Sequence, residues 1–265
     1  MKLLFTVCGR AGSKGIENKN IREFLGHPLI FYTLSAIDLY QTKYPEDTYD
    51  VVINTDSEKL IDLAFNHTEM QLYLVRRKSE LGLDHIPKTA VVLDSLLEME
   101  RRKEADYDMV VDLDIIAYDM VVDLDITAPL RTVTDIRHLI QQKKSGSSDV
   151  VFSVTDARRN PYFNMVKREG AYYTRVISSS YNTRQEAPEI LDMNACLYAY
   201  EPQFLKRQKN LFEGNCDIIK MYDTGVLDLD HEQDFELMEV IAGYLFERFD
   251  EFGEIRQNIE KIIKQ

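Results

Sequence analysis

Short apolar runs and longer amphipathic stretches alternate through the first half of the chain. Leu3 to Cys8 is apolar and partly β-branched, as suits a strand buried on both faces. Helical spacing of apolar residues runs from about Leu29 to Tyr40, followed by a strand at Val51 to Thr55 and a helix at Glu58 to Phe65. A strand at Gln71 to Val75 and a helix at Thr89 to Arg102 continue the series; within that helix Val92, Leu96 and Met99 recur every three to four residues and read as core. The segment YDMVVDLDI supplies the next strand. This βαβ logic predicts an α/β fold with a mostly parallel sheet flanked by helices.

The pattern changes after Gln141. KKSGSS at 143 to 148 reads as a loop, and short strands with polar turns run to about Pro188, so residues 143–190 are expected to protrude from an otherwise single domain spanning 1–265. Leu237, Ile241, Leu245 and Phe249, at four-residue steps, predict an amphipathic helix, and the charged tail predicts one more. Residues 107–117 (YDMVVDLDIIA) and 118–128 (YDMVVDLDITA) differ at one position. A single tandem copy cannot build a solenoid, which needs at least about three stacked units, so the repeat reads as a local insertion. The second copy alone joins directly to Thr127–Arg131 and is expected to occupy the sheet, because displacing a site loop disrupts positioning more than a surface insertion does.

Composition narrows the partners. Thirty-two basic against 45 acidic residues give a formal charge of −13, which repels nucleic acid and anionic membranes. Any phosphate site must therefore be locally basic. Three cysteines without C-x-x-C spacing suggest neither a disulfide framework nor a zinc site, and a reducing cytoplasm is the expected setting. The apolar N-terminal run is too short for a signal-peptide core, and no stretch approaches the ~20 apolar residues of a membrane span.

One stretch meets the local requirement. GRAGSKGIENKN at 9–20 follows the first strand, where α/β proteins bind nucleotides. Gly9, Gly12 and Gly15 permit close backbone approach to phosphate oxygens, while Arg10, Lys14 and Lys19 supply positive charge. The run matches neither the Walker A pattern nor G-x-G-x-x-G, which disfavours P-loop ATPases and standard dinucleotide enzymes; the plain alternative is a surface turn with solvated lysines. Asp-Leu-Asp recurs at 112–114, 123–125 and 228–230. Residues two apart on a strand share a face, and paired carboxylates call for a cation such as Mg²⁺, unless they are strand-end acids facing solvent. Asp228 and Asp230 are the preferred ligands because a helix begins just after them. In TAPLR (127–131), Pro129 stiffens the turn and Thr132 or Thr134 can cap the next helix, a structural role. Arg184, beside Gln185 in a polar loop, could clamp a carboxylate through its planar fork or be merely solvated.

Taken together these segments resemble the acylneuraminate cytidylyltransferase family, the enzymes that make CMP-activated nonulosonic acids such as CMP-N-acetylneuraminate. The likeness covers nearly the whole chain. GRAGSKGIENKNIREFLGHPLI resembles the family's opening signature, with Arg10, Ser13, Lys14, Lys19 and Asn20 at matching positions; VVINTD ending at Asp56 resembles its second strand. RRKSELGLD at 76–84 resembles the cytosine-recognising segment, with Arg77 at the matching position, and TAPLRTVTDI resembles T-S-P-L-R. TRQ at 183–185 resembles the sugar-facing arginine loop, MNACLY at 193–198 resembles P-N-G-A-I-Y, and LDLDHEQD at 227–234 resembles the metal-binding end.

The resemblance implies a Rossmann-like nucleotide-diphosphosugar transferase fold and a homodimer in which the protruding segment reaches the partner's site. It implies transfer of CMP from CTP to the anomeric hydroxyl of a nonulosonic acid, with pyrophosphate released. Arg10, Lys14 and Lys19 would act on the triphosphate, with Gly12, Ser13, Asn20 and Arg77 also binding nucleotide. Asp125, Arg184 and Asn194 would contact the sugar, and Asp228 and Asp230 would hold Mg²⁺ or Mn²⁺. Other acid sugars (3-deoxy-manno-octulosonate, legionaminate, pseudaminate) and a non-catalytic nucleotide-binding protein are the alternatives. Three positions depart from the family pattern: Asp125 stands where a glutamine is frequent, Asp192 where an arginine is common, and Ala195 replaces a glycine. An anion at position 125 is expected to favour a substrate amine or hydroxyl over an acceptor carbonyl, since an ionised carboxylate only accepts hydrogen bonds.

Overall fold

A computed structural model of the chain describes residues 1–12, 16–105, 117–224, 229 and 231–264. The chain opens with β1 (Lys2–Gly9), a minimal hairpin of β2 (Glu23–Phe24) and β3 (His27–Pro28), and α1 (Leu29–Lys43). The next units are β4 (Thr48–Thr55) with α2 (Glu58–Asn66) and β5 (Tyr73–Arg76) with α3 (Lys88–Ala105). After them come β6 (Met120–Leu124), α4 (Val133–Ser145) and β7 (Val150–Asp156). A small antiparallel hairpin, β8 (Val166–Glu169) and β9 (Tyr172–Arg175), precedes β10 (Leu191–Tyr200), α5 (Pro202–Lys206) and β11 (Cys216–Lys220). Helices α6 (Glu232–Arg248) and α7 (Asp250–Ile262) follow.

Seven strands form the main sheet in the order β11-β7-β10-β6-β1-β4-β5. Every pairing is parallel except those of β10, which runs against both β6 and β7. Alternation along β1 explains why its sequence is apolar throughout. Leu3, Phe5 and Val7 enter one core with α1, α4, α6 and α7, while Leu4 enters the other with α3 and α5. From β1 the chain moves outward to β4 and β5, then returns to place β6 on the other side of β1. The crevice at the carboxyl ends of β1 and β6 is thus a topological switch point, where open α/β sheets bind ligands.

The local signals are read as expected where they are chemical. Ser57 caps α2 by accepting from the Leu60 amide, and Thr132 caps α4 in a reciprocal box with Asp135. The duplicated strand resolves in favour of its second copy. Met120–Leu124 is β6, paired with β1 and β10, and the buried Tyr118 hydroxyl donates to Asp50 Oδ2 at 2.7 Å. Residues 106–116, with nearly all of the first copy, lie outside the described residues.

Two expectations need redrawing. The protrusion is narrower than 143–190: α4 extends to Ser145 and β7 lies inside the sheet between β10 and β11, so the departure begins after Asp156 and ends at Leu191. The buried stripe of α6 is Phe235, Met238, Ala242 and Leu245, whereas Leu237 is exposed. Four-residue steps advance about 400° on an α-helix, so a run at strict intervals of four winds off the core face, while spacings of three and four stay on it. No helix among the described residues is long and apolar enough to cross a membrane.

Candidate functional site

A cleft of about 380 Å³ opens at the switch point, lined by Cys8, Arg10, Lys19, Asn20, Arg77 and Lys88 among others. The fold therefore gathers four of the residues expected to bind nucleotide: Arg10, Lys19, Asn20 and Arg77. Gly9 ends β1 under tight packing, since a Cβ there would lie 2.9 Å from the Ile126 side chain and 3.1 Å from Asn20 Nδ2. The turn that follows is tied down from several sides. Ala11 N donates to Asp56 Oδ1 at 2.7 Å, Asn20 Nδ2 to the Arg10 carbonyl at 3.1 Å, and Lys19 Nζ to the Leu229 carbonyl at 2.5 Å. At Gly12 a Cβ would meet nothing within 4 Å among the described residues. Ser13, Lys14 and Gly15 lie outside the described residues, as do Asp228 and Asp230.

The two arginines of the cleft are oriented by their neighbours. Arg10 Nη1 pairs with Asp84 Oδ1 at 2.6 Å and reaches the Gly82 carbonyl at 3.3 Å. Arg77 Nε donates to Asn54 Oδ1 and Nη2 to the Asn54 carbonyl, both at 3.0 Å, which aligns it with the end of β4. Asn54 is itself buried, and its amide donates to Ser95 Oγ at 3.0 Å on α3. A chain of contacts from helix to strand end thus fixes the guanidinium before any ligand arrives, which lowers the ordering cost of binding.

At the floor of the cleft lies an ion cluster that sequence reasoning did not assemble. Lys88, the first residue of α3, places its ammonium 2.7 Å from Asp123 Oδ2 and 2.8 Å from Asp125 Oδ2. Asp123 is fully buried, and its Oδ1 accepts from Thr6 Oγ1 at 2.7 Å. Asp125 Oδ1 accepts from both the backbone N and the Oγ1 of Thr127, at 2.8 and 2.7 Å. The cation between this pair of carboxylates is therefore a lysine. Burial alone would raise the Asp125 pKa, but the Lys88 charge and the Thr127 donors prevail and hold it near about 2. Burial likewise opposes the charge on Lys88, yet the two aspartates keep its pKa well above the usual lysine value. Desolvation, with the Asp123 charge adding to it, pushes the neighbouring Cys8 thiol up, which disfavours its thiolate. Asp125 is thus not the bare anion that its sequence position suggests, since both of its oxygens already accept hydrogen bonds.

Beyond Asp125 lies a second, smaller cavity, lined by Asp125, Thr127, Pro129, Asn194, Ala195 and Tyr222 among others. Asp125 and Thr127 form the wall common to both spaces. Asn194 sits at a bulge in β10, where Oδ1 accepts from Ser153 Oγ at 2.6 Å and the following Ala195 adopts φ +52°. Arg131 is fully buried and donates to the carbonyls of Asp125 and Ala128, clamping the TAPLR loop in place. Arg184 is not brought to either cavity within this chain; its guanidinium donates to the Ala157 carbonyl at the end of β7. Among the described residues no cluster of three or more His, Cys, Asp or Glu side chains could hold a metal.

Lys88 escaped sequence reasoning because nothing local marks it: the helix is expected from Thr89, one residue later. The available signal was the Asp123–Asp125 pair, which demands a cation without saying which.

The profile of the Cytidylyltransferase family matches residues 5–241. Post-translational flagellin modification protein B of Campylobacter coli is 30% identical over 240 residues, covering 91% of this chain and 94% of the relative. The CMP-N,N'-diacetyllegionaminic acid synthase of Campylobacter jejuni is 29% identical over the same shares of the two chains. N-acylneuraminate cytidylyltransferase of Streptococcus agalactiae is 27% identical over 93% of this chain but only 54% of its own length. Among solved structures, CMP:2-keto-3-deoxy-manno-octonic acid synthetase complexed with CTP superposes with a TM-score of 0.61 at 15% identity, covering 92% of this chain and 99% of that one. At that identity the likeness speaks for the fold, which is the Rossmann-like fold expected.

Proposed function

Because the chain belongs to the cytidylyltransferase family and is a nucleotidyltransferase, we propose that it transfers CMP from CTP to the anomeric hydroxyl of a nonulosonic acid and releases pyrophosphate. The observation that carries this reading is the pairing of two spaces at the switch point. A cleft lined by Arg10, Lys19, Arg77 and Lys88 suits a nucleotide triphosphate, and the adjoining cavity with Asp125 and Asn194 suits the acceptor sugar. The anomeric oxygen forms a bond to the α-phosphorus, the bond from that phosphorus to the pyrophosphate oxygen breaks, and the hydroxyl proton leaves to solvent. Such a step needs positioning and charge neutralisation more than covalent help. Arg10, Lys14 and Lys19 would hold the triphosphate and stabilise the departing pyrophosphate, with Gly12, Ser13 and Asn20 also binding the nucleotide and Arg77 meeting the base.

Asp228 and Asp230 would hold Mg²⁺, with Mn²⁺ as a substitute. Their hard oxygen donors suit that ion, and Leu229, which stands between them in the sequence, accepts from Lys19 through its carbonyl. When bound, the metal supplies polarisation of the α-phosphate. Asp230→Ala should accordingly lose most turnover at limiting Mg²⁺, and near wild-type turnover would refute that ligand.

We assign Arg184 to the sugar carboxylate of a partner copy in a homodimer. The protruding hairpin supports this, since Tyr172 and Tyr173 stand exposed on β9 with Lys167 and Arg168 on the paired strand β8, a composition suited to a protein surface. Among acceptors, a legionaminate-type sugar is favoured over N-acetylneuraminate, because the legionaminic acid synthase matches over nearly its whole length. Pseudaminate and 3-deoxy-manno-octulosonate require the same core chemistry. CTP is met in the cytoplasm, the setting we assign. The test is Mg²⁺-dependent pyrophosphate release from CTP with these four acids as a panel. Release with at least one nonulosonic acid, and not with ATP in place of CTP, is expected; no release with any of them would refute the reading.

A further inference from the structure

Lys88 is held between Asp123 and Asp125, yet its side chain is 30% exposed and lines the cleft. An ammonium has three N–H donors, so these two acceptors leave at least one for another partner. Asp123 lies wholly beneath it, and Asp125 is turned toward Thr127, so the remaining direction is the cleft itself. Nζ lies over the Tyr198 ring, 5.5 Å from its centre, a cation–π contact that limits lateral movement. Lys88 also stands at the start of α3, whose first turn carries no acidic residue, so the helix dipole adds to its positive potential there.

Its position along the cleft decides what it would meet. Arg10 is drawn to the Asp84 side and Lys19 to Leu229, whereas Lys88 touches Asp125, whose side chain also lines the second cavity. In the proposed reaction, the part of the nucleotide that must approach the second substrate is the α-phosphoryl group. We propose that Lys88 is a further substrate-contacting residue, donating to a non-bridging oxygen of the α-phosphoryl group while Asp123 and Asp125 hold it in place. The inference rests on the cytidylyltransferase reading of the cleft. Its effect is electrostatic: charge gathers on that oxygen as the anomeric hydroxyl attacks, and a fixed ammonium needs no reorganisation to meet it.

Calorimetric binding of cytidine, CMP and CTP to the whole protein separates the possibilities. Lys88→Met alone strands Asp123 as a buried anion, so Lys88→Met/Asp123→Asn is the informative variant, with its folding checked by thermal melting. It should bind CMP and CTP about ten- to a hundredfold more weakly than wild type, as loss of one charge-assisted hydrogen bond implies, and bind cytidine as wild type does. Lys88→Arg should recover part of the CMP affinity. Equal weakening for cytidine and CMP would assign Lys88 to the nucleoside and overturn the proposal, as would unchanged CMP affinity. In the wild-type protein labelled with 15N at lysine, CMP but not cytidine should shift the Lys88 ammonium resonance, assigned by its loss in Lys88→Arg; a resonance unmoved by saturating CMP overturns the proposal even if the double variant does not fold. A wild type that binds none of these nucleotides would overturn the cytidylyltransferase reading itself, an outcome distinct from wild-type binding that is insensitive to Lys88.

Discussion

Arg131→Met tests whether the buried guanidinium holds the loop that separates the two cavities. Arg131 has no solvent exposure, and its donors reach the carbonyls of Asp125 and Ala128, with Thr33 Oγ1 at 3.4 Å. Methionine keeps much of the apolar stem but removes every donor, leaving buried acceptors short of partners. Each such loss costs about 1–3 kcal/mol. The Asp125 carbonyl keeps a weak donor in Thr33 at 3.4 Å, and the Ala128 carbonyl keeps the Cys196 thiol at the same distance, so the lower half of that range applies. Relief from desolvating a guanidinium offsets part of the rest. The net destabilisation is about 2 kcal/mol, a substantial share of a typical domain's 5–15 kcal/mol. Urea unfolding should show a lowered midpoint at unchanged slope, and kcat should fall because Thr127 and Asp125 lose their backing. Arg131→Lys should recover little, since an ammonium cannot span the same carbonyls with a planar fork. A variant within about 0.5 kcal/mol of wild type, the range of an ordinary surface change, would refute the clamp.

Deleting residues 107–117 should leave a folded enzyme with activity kept or improved, because the second copy already fills β6 and is anchored through Tyr118; an insoluble or inactive product would show that the first copy is needed. Ala195→Gly should raise the melting temperature by about 1–3 °C, since φ +52° costs an alanine more than the entropy that glycine adds, and a lowered temperature would refute that sign. Acid should expose the Lys88–Asp125 pair: a folded pKa held down near about 2 against 3.8 contributes stability that is present above pH ~4 and lost as pH falls toward 2. That loss is about 2 kcal/mol for Asp125, so Asp125→Asn should flatten the decline in urea midpoint between pH 4 and 2.5, and an unchanged slope would contradict the pairing.

Sequence by itself determined the strands β1, β4, β5 and β6 and the helices α1, α2 and α3 between them, because period-2 and period-3.6 burial follow from local backbone geometry and leave their mark residue by residue. The apolar β1 and the amphipathic α3, with Val92, Leu96 and Met99 buried, are of that kind. It also ranked the two copies of the repeat, since only one is joined to TAPLR without an intervening segment. Tertiary structure alone decided which apolar stripe of α6 faces inward, because Leu237 and Met238 are equally apolar and only packing distinguishes them. It alone moved β7 into the sheet, since a strand's neighbours are chosen across the chain rather than along it. The same holds for charge. Asp125 reads as a free anion in the sequence, and only the fold brings Lys88, 37 positions away, to within 2.8 Å of it. Ion pairing depends on distance in space and on burial, and neither is carried by the spacing of residues along a chain.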